Sequence, residues 1–340
     1  MFPKEKKINS LFEYWLSISL ILVFFIIIVG GLTRLTNSGL SITEWELFTG
    51  ILPPLSEQSW NKYFSLYKQI PQYQILNSNM SMSEFKIIFY WEYFHRILAR
   101  IIGLFFLLPL IFFYFTKKIK NEYLNTCYII LLLIILQGVI GWFMVKSGLV
   151  NDITVSHYRL SIHLSTAIII ISSIYWLLKN FQSERKIFFK ISKNNLPFQL
   201  LILILLIQII MGAFVSGLDA GRIYQTWPLM GDTYLPNDLY ISSIKNLFEF
   251  NNHSLVQFYH RNLAYLIFLY ILILSIFIFK RKISKLYSTL NILLIFLFLQ
   301  VFLGILTLVS GLNIYLASAH QITSVLLIIS ALNLYYLAAK

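Results

Sequence analysis

Long apolar runs separated by short polar connections set the pattern of this chain, and the stretches Leu16–Gly30, Leu200–Ala213 and Ile292–Val309 carry no charge at all. A hydrocarbon layer of about 30 Å asks for roughly 20 apolar residues per helix. Runs of this length and continuity read as helices, because membrane barrel strands are short and alternate. The pattern predicts spans at 14–33, 86–115, 124–146, 155–178, 198–218, 254–279, 286–309 and 315–338. The first run follows lysines, as in a signal peptide, but no small-residue cleavage site follows it and it is long enough to span, so it reads as the first helix. Two connections, 34–85 and 219–253, are long. Their Pro, Gly, Ser and Asn content predicts ordered caps with short helices, lying over the bundle rather than crossing it.

The same pattern occurs twice. Trp91-Glu-Tyr-Phe-His-Arg-Ile-Leu-Ala99 opens the second span, and Val256-Gln-Phe-Tyr-His-Arg-Asn-Leu-Ala264 opens the sixth. Leu136-Gln137, Gly141 and Ser147-Gly-Leu149 recur 163 positions later as Leu299-Gln300, Gly304 and Ser310-Gly-Leu312. Gly30, Gly39 and Trp45 recur 182 positions later as Gly212, Gly221 and Trp227. Ile162-His-Leu-Ser-Thr166 faces Ala319-His-Gln-Ile-Thr323 at the head of the fourth and eighth spans. The predicted fold is therefore an all-α integral membrane protein, its eight helices forming two pseudo-symmetric four-helix bundles over residues 1–180 and 181–340. An even number of crossings per half makes this a parallel duplication about an axis along the membrane normal.

Composition and charge agree with that reading. The 340 residues are 58% hydrophobic and 12% charged, with a mean hydropathy of +0.73, which excludes a soluble protein. A net charge of +13 would otherwise point to nucleic acid, but the basic residues crowd alternate connections: Lys4, Lys6 and Lys7; Lys117, Lys118 and Lys120; Lys179, Arg185, Lys186, Lys190 and Lys193; Lys280, Arg281, Lys282 and Lys285; and Lys340. This is the positive-inside pattern. It predicts a multi-pass protein of an inner (cytoplasmic) membrane with both termini cytoplasmic, an organellar inner membrane being the alternative. The expected surroundings are membrane lipid, with no nucleic-acid partner. The single cysteine, Cys127, reads as a small packing residue.

The candidate chemistry lies in His95, His163, His260 and His320. All four are on even-numbered spans that start from the outer side, roughly 8–15 Å along the helix at 1.5 Å per residue. A histidine inside a span marks a ligand or proton site or a polar group hydrogen-bonded between helices; four at one depth, repeated in both halves, favour the ligand. Paired imidazoles in an apolar bundle suit axial ligation of haem. Zinc would want three or four close N, S or O ligands, and copper stays an alternative.

Arg96 and Arg261 follow the repeated histidines. Pointing about 100° away, each can snorkel outward, either with no ligand or to pair with a haem propionate. Glu92 shares a helix face with His95, whereas Gln257 stands at the equivalent position and cannot ionise. That asymmetry points to chemistry in the first half and a fixed cofactor in the second, unless Glu92 merely sits at the lipid interface. His157 and His253 have no repeat partners and read as residues of the membrane edge.

Taken together, Glu92-x-x-His95-Arg96, Tyr158-Arg-Leu-x-x-His163-Leu164, Phe258-x-His260-Arg261 and Ala319-His320-Gln321 resemble the motifs of haem A synthase. So do Gly39-Leu-Ser-Ile-Thr-Glu-Trp45 leading to Pro53-Pro54, and Ala220-Gly-Arg-x-Tyr-x-Thr-Trp-Pro-Leu-Met230, so that the likeness runs from about Gly30 to about Ser324. The resemblance implies haem b held by His260 and His320 with Arg261 beside it, and substrate haem O between His95 and His163 with Arg96. It implies an oxidoreductase that converts a ring methyl to formyl by successive hydroxylations, giving haem A for cytochrome oxidase, with Glu92 in the catalytic role. An electron donor that the sequence does not identify is also implied; haem O synthase and cytochrome oxidase assembly factors are candidate partners. Some members of that family carry a cysteine pair in an outer loop. This chain has none, and it resembles the cysteine-free branch. Two other readings stand beside the enzyme: a di-haem electron carrier that keeps both haems unchanged, and a transporter, which should show broken helices and charged groups at the midplane.

Overall fold

The computed structural model describes residues 3–44, 49–151, 153–184, 192, 194–239 and 243–339, and the side chains of all of these except 3–7, 49, 150 and 151. Trp45 and the basic residues Arg185, Lys186, Lys190, Lys193 and Lys340 lie outside the described residues, as do the side chains of Lys4, Lys6 and Lys7.

The helices are α1 (Pro3–Leu35), α2 (Glu57–Tyr67), α3 (Pro71–Leu76), α4 (Met82–Thr116), α5 (Asn121–Asn151), α6 (His157–Gln182), α7 (Leu196–Gly217), α8 (His253–Lys280), α9 (Tyr287–Val309) and α10 (Ile314–Ala338). All except α2 and α3 are long and apolar enough to cross a membrane, giving eight such helices among the described residues. The only pairing outside helices among those residues is an isolated bridge between Met230 and Thr233. The chain is an all-α, multi-pass membrane protein, as the apolar runs predict.

Helix ends differ from the predicted ones where capping decides them. α4 begins at Met82 rather than 86, because Ser81 and Glu84 form a reciprocal capping box: the Ser81 hydroxyl accepts from the Glu84 amide while the Glu84 carboxylate accepts from the Ser81 amide. Asn252 and Asn313 cap α8 and α10 in the same sense, their side-chain oxygens accepting from the amides of Leu255 and of Tyr315 and Leu316. α4 stops at Lys117, whose left-handed backbone (φ 52°) ends the helix.

Two compact units divide the chain, Met1–Ile174 and Tyr175–Lys340, the break falling inside α6 slightly ahead of the predicted 180. In the first unit α1 packs on α4, and α4 on α5. Phe12, Trp15, Leu16, Phe106, Leu110 and Phe113 are buried where α1 meets α4, with the Trp15 indole donating to the Phe105 carbonyl at 3.0 Å. Above them the 34–85 connection folds into the expected cap. Leu40, Ile42, Trp60, Phe64, Tyr67, Phe85 and Phe89 form one apolar cluster. The fully buried Tyr67 hydroxyl donates to Gln72 and accepts from Asn77, and burial raises its pKa above the ordinary phenol value.

In the second unit α7 packs on α8 and α10, and α9 on α10. Among the described residues, the helical turns of its 219–253 connection are three-ten, at Ala220–Arg222 and Ile244–Phe248. It is tied down by Asp238, which accepts from Tyr224 at 2.5 Å and Ser254 at 2.6 Å. The outward faces of the long helices carry apolar side chains such as Ile129, Leu132, Ile135, Leu269, Ile273 and Ile295, as lipid requires.

Candidate functional site

In the second unit α8 and α10 bring His260 and His320 together, their ring centroids 6.4 Å apart and their planes at 81°. A metal between two imidazoles adds a bond of about 2 Å on each side, plus about 1.1 Å from nitrogen to ring centre, which puts the centroids about 6 Å apart. The observed separation is close to that span. No group of three or more His, Cys, Asp or Glu side chains among the described residues could hold a metal ion. Two imidazoles therefore suit a metal that brings its other ligands with it.

Each imidazole lies against a glycine of a neighbouring odd-numbered span. A Cβ added at Gly212 would stand 3.1 Å from His260 Cε1, and one at Gly304 2.8 Å from His320 Cε1. The first unit repeats this: Gly30 on α1 meets His95 and Gly141 on α5 meets His163, each with such a Cβ 3.0 Å from Cε1. The Nδ1 atoms of His95, His163 and His260 are buried without a hydrogen-bond partner, while His320 Nδ1 lies 3.1 Å from the Gln300 carbonyl. The Gln300 amide also lies 3.3 Å from His320 Nε2, a contact that a metal at that nitrogen would displace. His95 lies on α4 and His163 on α6.

One turn from His95, Glu92 is buried and its carboxylate fully occupied. Oε1 accepts from Arg96 Nε at 3.0 Å and Nη2 at 2.5 Å, and Oε2 from the Ser41 hydroxyl at 2.7 Å and the Ile42 amide at 2.9 Å. Arg96 Nη2 also donates to the Ile42 carbonyl at 3.0 Å. The guanidinium, for which the sequence allows an outward path, is turned to Glu92 and the Ile42 carbonyl. Arg96 and Arg100 still line a small cleft beneath the cap, with Ile42, Glu44 and Tyr93.

The equivalent positions of the second unit are wired differently. Gln257 donates to the Tyr224 carbonyl at 2.7 Å, and Arg261 Nη2 to the carbonyls of Pro228 and Leu229 at 2.8 and 3.1 Å. Arg261 Nη1 is buried with no hydrogen-bond partner, a donor suited to a propionate. The Tyr224 phenol is held above its ordinary pKa chiefly by the hydrogen bond it donates to Asp238.

His157 is buried at the start of α6 and packs on Tyr158 with centroids 4.1 Å apart; His253 is the first residue of α8. Neither joins the paired imidazoles. Cys127 is a buried free cysteine within α5. Sequence reasoning misses Ser41 and the role of the glycines. Ser41 lies inside the motif at 39–45, but its contact with Glu92 crosses from the cap loop and no spacing along the chain shows it. The glycines do give a signal, since Gly30, Gly141, Gly212 and Gly304 mark the repeat.

An eight-span helical protein with two glycine-backed imidazoles in each unit is, as a class, a multi-pass membrane protein with candidate metal-ligating histidines inside its spans. More narrowly, the chain belongs to the cytochrome oxidase assembly protein family COX15-CtaA, whose model matches residues 13–332. It is 46% identical over 337 residues to the "Heme A synthase" of Pelagibacter ubique, covering 99% of each chain. Against the "Heme A synthase" of Rickettsia felis it is 42% identical over 326 residues, 94% of this chain and 96% of the other. Against that of Rickettsia canadensis it is 41% identical over 336 residues, 97% and 98%.

Proposed function

We propose that this chain is a haem A synthase of an inner (cytoplasmic) membrane, with both termini cytoplasmic, oxidising a ring methyl of haem O to formyl by successive hydroxylations. The observation that carries the reading is near-full-length similarity to proteins of that name, with all seven site residues, Glu92, His95, Arg96, His163, His260, Arg261 and His320, inside the matched region.

In this reading His260 and His320 hold haem b, which supplies one-electron transfer when bound, and the unpaired Nη1 of Arg261 takes a propionate. The 6.4 Å separation of the two rings supports it. His95 and His163 bind the substrate haem O. Glu92 is the catalytic carboxylate beside it. Two contacts from the cap, Ser41 and the Ile42 amide, and the Arg96 guanidinium fix its two oxygens in place. The carboxylate is then a proton acceptor of set orientation, which an amide at this position cannot be. An electron donor is the partner this role requires, and haem O synthase and oxidase assembly factors are candidate partners.

Restoring the chain to cells that lack it should bring haem A into the extracted pigments. Glu92→Gln should keep the low-spin b-type spectrum of the purified protein and abolish haem A formation. Full haem A production by Glu92→Gln would overturn the catalytic assignment, and a chain that retains unaltered haem O would instead be a di-haem electron carrier.

A further inference from the structure

Four glycines stand in the same relation to four imidazoles. For Gly30, Gly141, Gly212 and Gly304 alike, the atom nearest an added Cβ is Cε1 of the facing histidine, Nδ1 comes next at 3.3–3.7 Å, and Nε2 is farthest at 3.6–4.0 Å. Every ring thus presents its Cε1 corner to the glycine, with Nδ1 slightly nearer than Nε2. Carbon atoms pack at about 3.5–4.0 Å, so a methyl group 2.8–3.1 Å from the ring has no room unless ring or helix moves. Two other helical glycines are different. An added Cβ at Gly103 of α4 or Gly138 of α5 meets nothing within 4 Å, so glycine at those positions is not demanded by packing.

Glycine also bares the carbonyl one turn before it. Gln300 precedes Gly304 by one helical turn, and its carbonyl is the group that His320 Nδ1 approaches at 3.1 Å. An imidazole whose Nδ1–H is pinned to a backbone carbonyl has its tautomer and ring plane fixed, leaving Nε2 as the metal ligand.

We propose that Gly30, Gly141, Gly212 and Gly304 are positioning residues for the four haem-ligand imidazoles, each a seat that sets the orientation of one ring. The proposal rests on the haem reading above. It concerns how the ligands are held, and it predicts effects on binding and spectra that precede any turnover.

The test uses the full-length protein in detergent, measuring haem b content and low-spin electron paramagnetic resonance for the second unit and haem O titration for the first. Gly212→Ala and Gly304→Ala should weaken haem b binding about tenfold or more, the loss typical of removing a ligand's supporting contact. They should displace the low-spin signal and leave haem O titration unchanged. Gly30→Ala and Gly141→Ala should weaken haem O binding to the same degree with an unaltered haem b signal. The site in the other unit therefore reports that each variant is folded. Gly103→Ala and Gly138→Ala should change neither measurement. The proposal is overturned if the four seat variants bind both haems as the parent does, or if the two control variants lose binding equally. His260→Ala separates this from the underlying reading: should it keep the b-type signal, the ligand assignment itself is wrong, whereas its loss alongside normal Gly212→Ala and Gly304→Ala proteins rejects the seats alone.

Discussion

A carboxylate with four donated hydrogen bonds inside a membrane protein is secured only while each donor remains. Glu92 is 3% and Arg96 13% exposed at the side chain, their closest approach 2.5 Å. Breaking a buried pair from one side leaves an uncompensated charge and costs about 3–5 kcal/mol. Arg96→Leu should therefore lower the unfolding free energy by about 3 kcal/mol, read from denaturant or thermal unfolding in detergent. The double variant Glu92→Gln/Arg96→Leu should recover most of that loss; a double variant as unstable as the single would show that Arg96 supports the fold by other contacts. The spacing of Glu92 and Arg96, four apart on one helix, is visible in the sequence and permits this pair. Helical direction alone, however, allows an outward guanidinium equally well. The deciding partners, Ser41 and Ile42, come from a connection whose path no local pattern specifies. Gln257 follows the same logic in reverse: without a charge to neutralise, Arg261 turns to two carbonyls and keeps one donor unspent.

Between helices the polar ties are few and repeat in register. Gln137 on α5 donates to the His163 carbonyl and Gln208 on α7 to the His260 carbonyl, both at 3.0 Å. Each glutamine sits one turn before the glycine that faces the same histidine, so one stretch of helix both makes room for the ring and holds the helix that carries it. Ile26 occupies the matching turn of α1 before Gly30, and an aliphatic side chain cannot make this tie for His95. An interhelical hydrogen bond of this kind is worth about 1 kcal/mol in a membrane protein. Gln208→Leu should thus lower stability by about that amount, measured by unfolding in mixed micelles, and loosen haem b. An unchanged midpoint and haem content would mean that packing alone fixes α7 on α8. The spans themselves are legible in the sequence because lipid imposes one simple demand, a long uncharged run. Their ends are less so: Ser81 and Glu84 extend α4 past the apolar run, since capping chemistry, not hydropathy, starts that helix.

At the scale of the whole molecule, every contact described at a pair of histidines comes from that pair's own unit. His95, His163, Gly30, Gly141, Glu92 and Ser41 fall within Met1–Ile174, and His260, His320, Gly212, Gly304 and Arg261 within Tyr175–Lys340. The repeat offsets already pair these residues in sequence; what they cannot convey is which helices pack together within each unit. Sites with no shared partners behave additively to within about 0.5 kcal/mol, or roughly twofold in affinity. His260→Ala combined with His320→Ala should therefore abolish the b-type spectrum while the dissociation constant for haem O in the first unit stays within about twofold. Haem A formation should nonetheless stop, because in the proposed reading a haem b held by His260 and His320 would supply the one-electron chemistry. Normal haem O binding without product would separate binding, which one unit accomplishes, from oxidation, which takes both. A large loss of haem O affinity in the same variant would show instead that the second unit's ligands help to shape the substrate site.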